Sequence, residues 1–193
     1  ELLLDGASLD DVQRAALDFG MAKGPFTLLD EIGLDTALSG GRVLWEAFPE
    51  RILASPLLIS MVKKGRLGCK TGAGFFEYPA DGHGLAASKS PRVAPETLAL
   101  IGQWARQPQH LDRRQIAARL FLPMVLEGSR LLGEGVAREA GDVDLGAVFG
   151  LGFPTDRGGP LFWADRLGPP RILQMLEALA ELGPRFAPTA ELI

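Results

Sequence analysis

Gly24-Pro25-Phe26-Thr27-Leu28-Leu29-Asp30-Glu31-Ile32-Gly33 returns, with no gap, as Gly159-Pro160-Leu161-Phe162-Trp163-Ala164-Asp165-Arg166-Leu167-Gly168. The opening Gly-Pro, the aspartate and the closing glycine keep their places in both copies. Proline suits the first turn of a helix, where its missing N–H costs nothing, and glycine readily closes a helix. Each copy therefore reads as a short helix between a Gly-Pro start and a glycine stop. Upstream, Phe19-Gly20 pairs with Phe149-Gly150, and Leu3-Leu4-Asp5-Gly6 resembles Leu132-Gly133-Glu134-Gly135. Only small insertions separate these anchors. A tandem duplication of a unit of roughly a hundred residues is the simplest account, not a many-copy solenoid.

Both units read as helical. Ser8 can cap a helix with Asp11 three residues on, and Leu9, Val12, Ala16 and Phe19 then form one apolar stripe ending at Gly20. Ser55-Pro56 opens another helix through Leu57, Leu58, Met61 and Val62, which stops at Gly65. In the second unit Ile116, Leu120, Met124, Glu127 and Leu131 fall at helical spacing, with a bend expected at Pro123. Ile172, Leu173, Met175, Leu176 and Leu179 form a last helix before Gly183-Pro184. Pro79 to Pro95 is rich in Gly, Ser, Pro and Ala and reads as a linker. Gly74 to Tyr78 is the one stretch read as briefly extended. The expected class is all-α. The expected domains are a first repeat over residues 1–79, a linker over 80–95 and a second repeat over 96–193.

The chain has 193 residues, 47% hydrophobic and 23% charged, with a net charge of −4 and the two signs mixed along it. That is the composition of a globular protein with a sizeable core, and it lacks the basic face that nucleic-acid binding calls for. No apolar run is long enough to span a bilayer, and Ser55-Pro56 interrupts the most apolar stretch, Ile52 to Val62. The single cysteine, Cys69, excludes an internal disulfide and a multi-cysteine zinc site, and fits a reducing compartment. Glu1 to Gly6 reads as the tail of a helix closing on glycine. The second unit opens with a helix expected from about Asp112 to Leu132. By comparison the first retains a final turn, and an exposed apolar groove is expected beside Leu9, Val12, Ala16 and Phe19 or along Phe26 to Ile32.

Several motifs resemble chemistry that the residues do not support. Gly65-Arg66-Leu67-Gly68-Cys69-Lys70-Thr71-Gly72-Ala73-Gly74 has the look of a phosphate loop, but Cys69 stands where a P-loop needs glycine before its lysine. A glycine-rich turn is the better reading. Gly150-Leu151-Gly152-Phe153-Pro154 opens like a dinucleotide fingerprint, but it lacks the third glycine and is broken by Pro154. His83 and His110 have no acid or nucleophile pattern around them. Flanking basic residues would favour the Cys69 thiolate, though a turn role is preferred. Lys63, Lys64, Arg66 and Lys70 could meet coenzyme phosphates or form a solvated face, and the second is preferred. Glu127 shares an apolar stripe and needs a partner, an arginine or a helix end. Asp30 and Asp165, at matched places, read as a duplicated structural carboxylate.

The same anchors carry a family resemblance. Phe19-Gly20-Met21-Ala22-Lys23-Gly24-Pro25-Phe26 through Ile32-Gly33-Leu34-Asp35-Thr36 resembles the signature of the 3-hydroxyacyl-CoA dehydrogenase C-terminal domain. Lys64 to Tyr78 resembles the glycine-rich turn that closes it. Gly141-Asp142-Val143-Asp144, Phe149 to Pro154 and Gly158-Gly159-Pro160 are similar to the second C-terminal repeat of multifunctional β-oxidation enzymes, such as the α subunit of the fatty-acid oxidation complex. Single-function dehydrogenases of this kind usually carry one repeat and dimerise through it. Two in tandem therefore point to the multifunctional type, with a monomer expected through that surface.

The resemblance implies a 6-phosphogluconate-dehydrogenase-C-terminal-like helical fold, with the two repeats packed as a pseudo-two-fold pair. It implies an upstream NAD-binding domain with a catalytic His–Glu pair, where the histidine takes the 3-hydroxyl proton as hydride passes to NAD. On this reading the chain holds no catalytic, cofactor or metal residue and binds no NAD by itself. It shapes the acyl-CoA side, and Met21, Gly24, Pro25 and Phe26 are the candidate substrate-pocket residues. The chain departs from the family at Ala118-Arg119, where an Asn-Arg step is usual, and at Ala22 and Lys23, where a proline and a hydrophobic residue are usual. A thiolase subunit is the implied partner, and the implied setting is cytoplasmic, or mitochondrial or peroxisomal in a eukaryote. A competing reading is a non-catalytic helical scaffold that binds partner subunits. The helical domain of another two-domain dehydrogenase, such as one acting on hydroxy acids, is disfavoured by the paired Gly-Pro blocks.

Overall fold

The computed structural model describes residues 1–78 and 92–192, so His83 and most of the predicted linker lie outside the described residues. The chain is all-α in class. Its helices are α1 (Leu9–Phe19), α2 (Pro25–Ile32), α3 (Leu34–Ala47), α4 (Pro56–Lys63), α5 (Pro95–Trp104), α6 (Arg113–Gly133), α7 (Ala140–Leu151), α8 (Pro160–Leu167) and α9 (Pro169–Glu177). Strands β1 (Phe76–Glu77) and β2 (Arg92–Val93) pair antiparallel, Phe76 opposite Val93.

Two compact units emerge, Glu1–Arg14 with Lys23–Leu111 and Ala15–Ala22 with Asp112–Ile193. Helix α1 therefore gives its first half to one unit and its second half to the other. The repeats read from sequence divide the chain differently, because a repeat records ancestry and a compact unit records contacts. Helix α5 follows the linker in sequence but packs against α4 in the first unit.

In the first unit, Ser8 Oγ accepts from the Asp11 N–H at 3.0 Å and donates to Asp11 Oδ2 at 2.6 Å, which caps α1 as its sequence predicts. Leu9 and Val12 are buried. The preceding turn closes like a helix end: Ala7 N–H donates to the Leu2 carbonyl and Gly6 N–H to the Leu3 carbonyl. Arg106 holds this turn through ion pairs to Glu1 and to Asp5, and its backbone N–H donates to the Leu4 carbonyl. Ser55 caps α4 by accepting from the Leu58 N–H, and α4 buries Leu57 and Met61.

The centre of this unit is Asp30 of α2, which is fully buried. Its carboxylate accepts from the Phe75 N–H at 2.8 Å, the Phe76 N–H at 3.0 Å and the Tyr78 hydroxyl at 2.8 Å. The glycine-rich turn can approach so closely only because it lacks side chains there. A Cβ on Gly74 would lie 2.0 Å from Asp30 Oδ1, and one on Gly68 would lie 2.1 Å from the Asp30 carbonyl oxygen. Arg66 and Thr97 lock the outer side of the turn, both donating to the Gly74 carbonyl. Burial pushes the Asp30 carboxyl above its usual range, and the three donors and the nearby Arg66 charge pull it partway back.

The second unit is built on α6. Asp112 and Gln115 form a reciprocal capping box at its start. Pro123 lies within α6 without ending it. One face buries Leu122, Val125 and Leu126 against Ile172 and Leu176 of α9 and against Phe186. The other face carries an aromatic cluster. Phe121 stacks on Phe19 with ring centres 3.6 Å apart, and Phe153 and Trp163 meet Phe19 edge-on at 5.6 and 5.1 Å. Arg157 covers the Phe19 ring at 4.0 Å and donates to the Phe19 carbonyl at 2.6 Å. The second half of α1 is thus fixed by one buried aromatic ring and a guanidinium.

Two expectations need correction. Leu9, Val12, Ala16 and Phe19 are all buried, so no groove opens along that stripe. The α2 face does expose Leu28 and Ile32. The duplicated carboxylate also fails: Asp165 is exposed. No glycine-rich turn follows the second anchor to enclose it, and the buried carboxylate of that unit is Asp144. Glu127 has the arginine partner expected of it, Arg130 one turn on.

Asp30→Ala should destabilise the chain by about 3–5 kcal/mol in thermal or urea unfolding, because it strands two backbone N–H groups and a tyrosine hydroxyl. The raised Asp30 pKa means that the folded chain holds its proton more tightly than the unfolded chain, which releases it near about pH 4. That contribution is complete below the unfolded value and is lost as pH rises through the folded one. The stability advantage of wild type over Asp30→Asn should therefore shrink from about pH 4 upward, and a difference constant with pH would refute this. In the second unit Phe121→Ala should cost about 3–5 kcal/mol and weaken the near-ultraviolet circular dichroism, whereas Arg157→Ala should cost about 1–2 kcal/mol.

Candidate functional site

Three of the four predicted pocket residues, Gly24, Pro25 and Phe26, lie at the Gly24-Pro25 start of α2, and the physics of that start explains the repeat. A helix begins with backbone N–H groups that have no partner inside the helix. Glycine at the N-cap has no side chain with which to accept from them. The acceptor comes from the preceding helix. Gln13 Oε1 accepts from the Phe26 N–H at 2.9 Å, and Gln13 Nε2 donates to Thr27 Oγ1 at 2.7 Å. In the second unit Asp144 Oδ1 accepts from the Leu161 N–H at 2.7 Å and Oδ2 from the Phe162 N–H at 3.0 Å.

At both starts the capping side chain occupies the space that a Cβ would take, so a larger residue would displace the cap. A Cβ on Gly24 would lie 2.2 Å from Gln13 Oε1, and one on Gly159 would lie 2.3 Å from Asp144 Cβ. Gly159 also has φ +119°, a region that disfavours side chains. Gln13 and Asp144 were not singled out by sequence reasoning. Their signal was a polar, cap-competent residue on the helix before each Gly-Pro.

Of the four predicted residues, Gly24 and Phe26 are buried and Pro25 is half-buried at the first helical position. The Phe26 ring packs on Phe75 with centres 4.6 Å apart. Met21 is half-buried and packs on the aromatic cluster of the second unit. Gly24, Pro25 and Phe26 lie together, while Met21 belongs to the other compact unit.

Cavities occur elsewhere. One of about 810 Å³ lies between α6 and α7, with Met124, Leu131, Val136 and Leu151 in its walls and Glu127 and Arg138 at its edge. Another of about 420 Å³ lies between α3 and α4, with Trp45, Leu53 and Leu58 in its walls.

Several of the titratable groups read from sequence are engaged in structure. Burial raises the Cys69 thiol, helped by the Asp30 and Glu31 carboxylates and partly opposed by a hydrogen bond with Tyr78. The neutral thiol is therefore favoured, contrary to the thiolate expected from the flanking basic residues. The Tyr78 hydroxyl is likewise pushed far up by burial and by Asp30. Within the basic cluster, Arg66 binds the Gly74 carbonyl and Thr97, and Lys70 pairs with Asp35 at 2.5 Å. Lys63, Lys64 and Lys70 of the cluster are exposed. Gly150 and Gly152 lie at the C-terminal end of α7. Carbonyls are presented there and not the N–H groups that cradle a pyrophosphate, so this glycine pair does not fit NAD. Among the described residues, no helix is long and apolar enough to cross a membrane, and no group of His, Cys, Asp and Glu is placed to hold a metal ion.

Residues 1–78 match the family model described as 3-hydroxyacyl-CoA dehydrogenase, C-terminal domain. In fold, the chain is similar to the dehydrogenase part of multifunctional enzyme 1 from C. elegans, with a TM-score of 0.67 and 18% identity over 99% of this chain and 43% of that one. It is also similar to 3-hydroxybutyryl-CoA dehydrogenase from Escherichia coli K12, with a TM-score of 0.70 and 22% identity over 96% of this chain and 54% of that one. The chain thus spans about half the length of these solved dehydrogenases. The family match over residues 1–78 and the fold shared with dehydrogenases of known structure point the same way.

Proposed function

We propose that this chain is the helical, substrate-side part of an NAD-dependent 3-hydroxyacyl-CoA dehydrogenase of the multifunctional β-oxidation type. The observation that carries the reading is the family match over residues 1–78, the segment that contains the Gly24-Pro25 start and the Asp30 turn. Coverage of 43% and 54% of the solved dehydrogenases leaves room in such proteins for a separate nucleotide-binding domain. NAD binding and proton and hydride transfer are assigned to that domain, and none of these steps to residues of this chain. Residues 96–193 are assigned to a second repeat of the same kind on the strength of the internal duplication.

Within this reading, the chain's task is to hold the acyl-CoA in register with chemistry supplied by another domain. Met21, Gly24, Pro25 and Phe26 would line the acyl side. Their rigidity supports the assignment, because a pocket wall anchored by Gln13 and Phe75 keeps its geometry when substrate arrives. Among them Met21 combines partial exposure with a flexible, apolar side chain suited to an alkyl chain. A thiolase subunit, as consumer of the 3-ketoacyl-CoA, is the proposed partner, in the cytoplasm or in a mitochondrion or peroxisome.

Two measurements test the proposal. Calorimetry on the 193-residue chain should register no stoichiometric NAD binding, and low-micromolar affinity would refute the division of labour. When the chain is joined to its nucleotide-binding domain, the protein should oxidise 3-hydroxyacyl-CoA with NAD reduction. Met21→Ala should then raise KM for the acyl-CoA by roughly three- to ten-fold and leave KM for NAD unchanged. Absence of dehydrogenase activity in the joined protein would favour the scaffold reading.

A further inference from the structure

The two Gly-Pro helix starts are capped by different chemistry. In the second unit the Asp144 carboxylate accepts from two successive N–H groups, those of Leu161 and Phe162. The matching residues in the first unit are Phe26 and Thr27, and there the cap is the neutral amide of Gln13. A carboxylate would be the stronger cap for α2. It could accept from both N–H groups, and its charge would be favoured at the positive end of the helix. The amide accepts from the Phe26 N–H alone. What it adds is a bond that a carboxylate cannot make, donated from Nε2 to Thr27 Oγ1.

The direction of that bond follows from the groups present. The Phe26 N–H can only donate, so the amide oxygen of Gln13 faces it, at 2.9 Å. The NH2 group is thereby turned toward Thr27, 2.7 Å away. It too can only donate, so the Thr27 hydroxyl accepts and its own hydrogen is directed elsewhere. Among the described residues that hydrogen has no acceptor. The amide is also held in place, seated on a bare glycine: a Cβ on Gly24 would lie 2.2 Å from its oxygen and 2.6 Å from its nitrogen. Thr27 is half-buried. In the second unit its place is taken by Phe162, which has no hydroxyl, and there the cap is a carboxylate.

We propose that Gln13 is a positioning residue that holds the Thr27 hydroxyl as a hydrogen-bond donor for a carbonyl oxygen of the acyl-CoA. The inference rests on the reading that the Gly24-Pro25 start lines the acyl side, and it adds one polar contact to that otherwise apolar wall. A partly buried donor of fixed direction sets where a carbonyl comes to rest, which apolar side chains do not do. A carboxylate at position 13 would take the Thr27 hydrogen for itself. The neutral amide gives up part of the helix cap and leaves that hydrogen to the substrate.

Steady-state kinetics of the chain joined to its nucleotide-binding domain test it. Gln13→Glu keeps an acceptor for the Phe26 N–H and turns the Thr27 hydroxyl inward. It should leave the melting temperature unchanged or higher, yet raise KM for the acyl-CoA by roughly three- to ten-fold with kcat little changed. Thr27→Val removes the hydroxyl at nearly constant shape and should raise KM alike, whereas Thr27→Ser should stay close to wild type. The double variant Gln13→Glu/Thr27→Val should be no worse than either single one, since both remove the same bond. KM for NAD should not move in any of them. A Thr27→Val protein with wild-type KM would overturn the inference and leave the acyl-side reading standing. So would a Gln13→Glu effect that vanishes at high salt, because simple repulsion of the substrate's phosphates would then explain it. A wild-type protein without dehydrogenase activity would instead remove the reading on which the inference rests.

Discussion

A helix that starts on Gly-Pro cannot cap itself, and the solution to that constraint organises both units. The proline fixes the first helical φ and the glycine leaves a hole, into which the preceding helix must deliver an acceptor. Gln13 and Asp144 do this, each bound to backbone N–H groups of the helix that follows. The contact sets the angle and spacing of α1 with α2 and of α7 with α8. Glycine, proline and cap act as a unit: a side chain on Gly24 or Gly159 would displace the cap, and loss of the cap would leave the helix start uncovered.

The two Gly-Pro segments differ in what they do with a second carboxylate. Asp30 and Asp165 occupy equivalent positions in sequence. Asp30 is enclosed by a returning glycine-rich turn that aims three donors at it, whereas Asp165 faces solvent. Burial of an acid is tolerable only where donors offset its desolvation. The first unit has the turn that provides them. The second unit concentrates its buried charge on Asp144 and relies on the Phe19, Phe121, Phe153 and Trp163 cluster for rigidity.

Much of the fold was legible because it rests on short-range signals. Ser8, Ser55 and Asp112 cap the helices that their spacing predicted, and the buried stripe of α1 follows its apolar period. Helix α3 was not legible, because Gly40 and Gly41 argue against a helix and its apolar stripe faces outward. The fate of Asp165 was hidden for a different reason. Burial depends on whether a distant segment returns to cover a residue, and periodicity carries no information on that. At the candidate site, sequence located the Gly24 to Phe26 start but not Gln13. The acceptor lies on another helix, and its partnership exists only once α1 and α2 have packed.

The distribution of polar groups bears on what the chain can contribute to a dehydrogenase. Buried Asp30 and half-buried Tyr78 and Cys69 are joined in one network, Arg66 and Lys70 are engaged with the turn and with Asp35, and Arg157 holds Phe19. A proton-transfer site needs a group poised near neutral pH and open to substrate. Cys69 and Tyr78 are pushed upward, away from that range, and Asp30 is sealed from solvent. Large apolar side chains are exposed at Leu28 and Ile32, along α3, and at Leu145 and Phe149 of α7. On the proposed reading, the chain supplies shape and rigidity and bond-making falls to another domain.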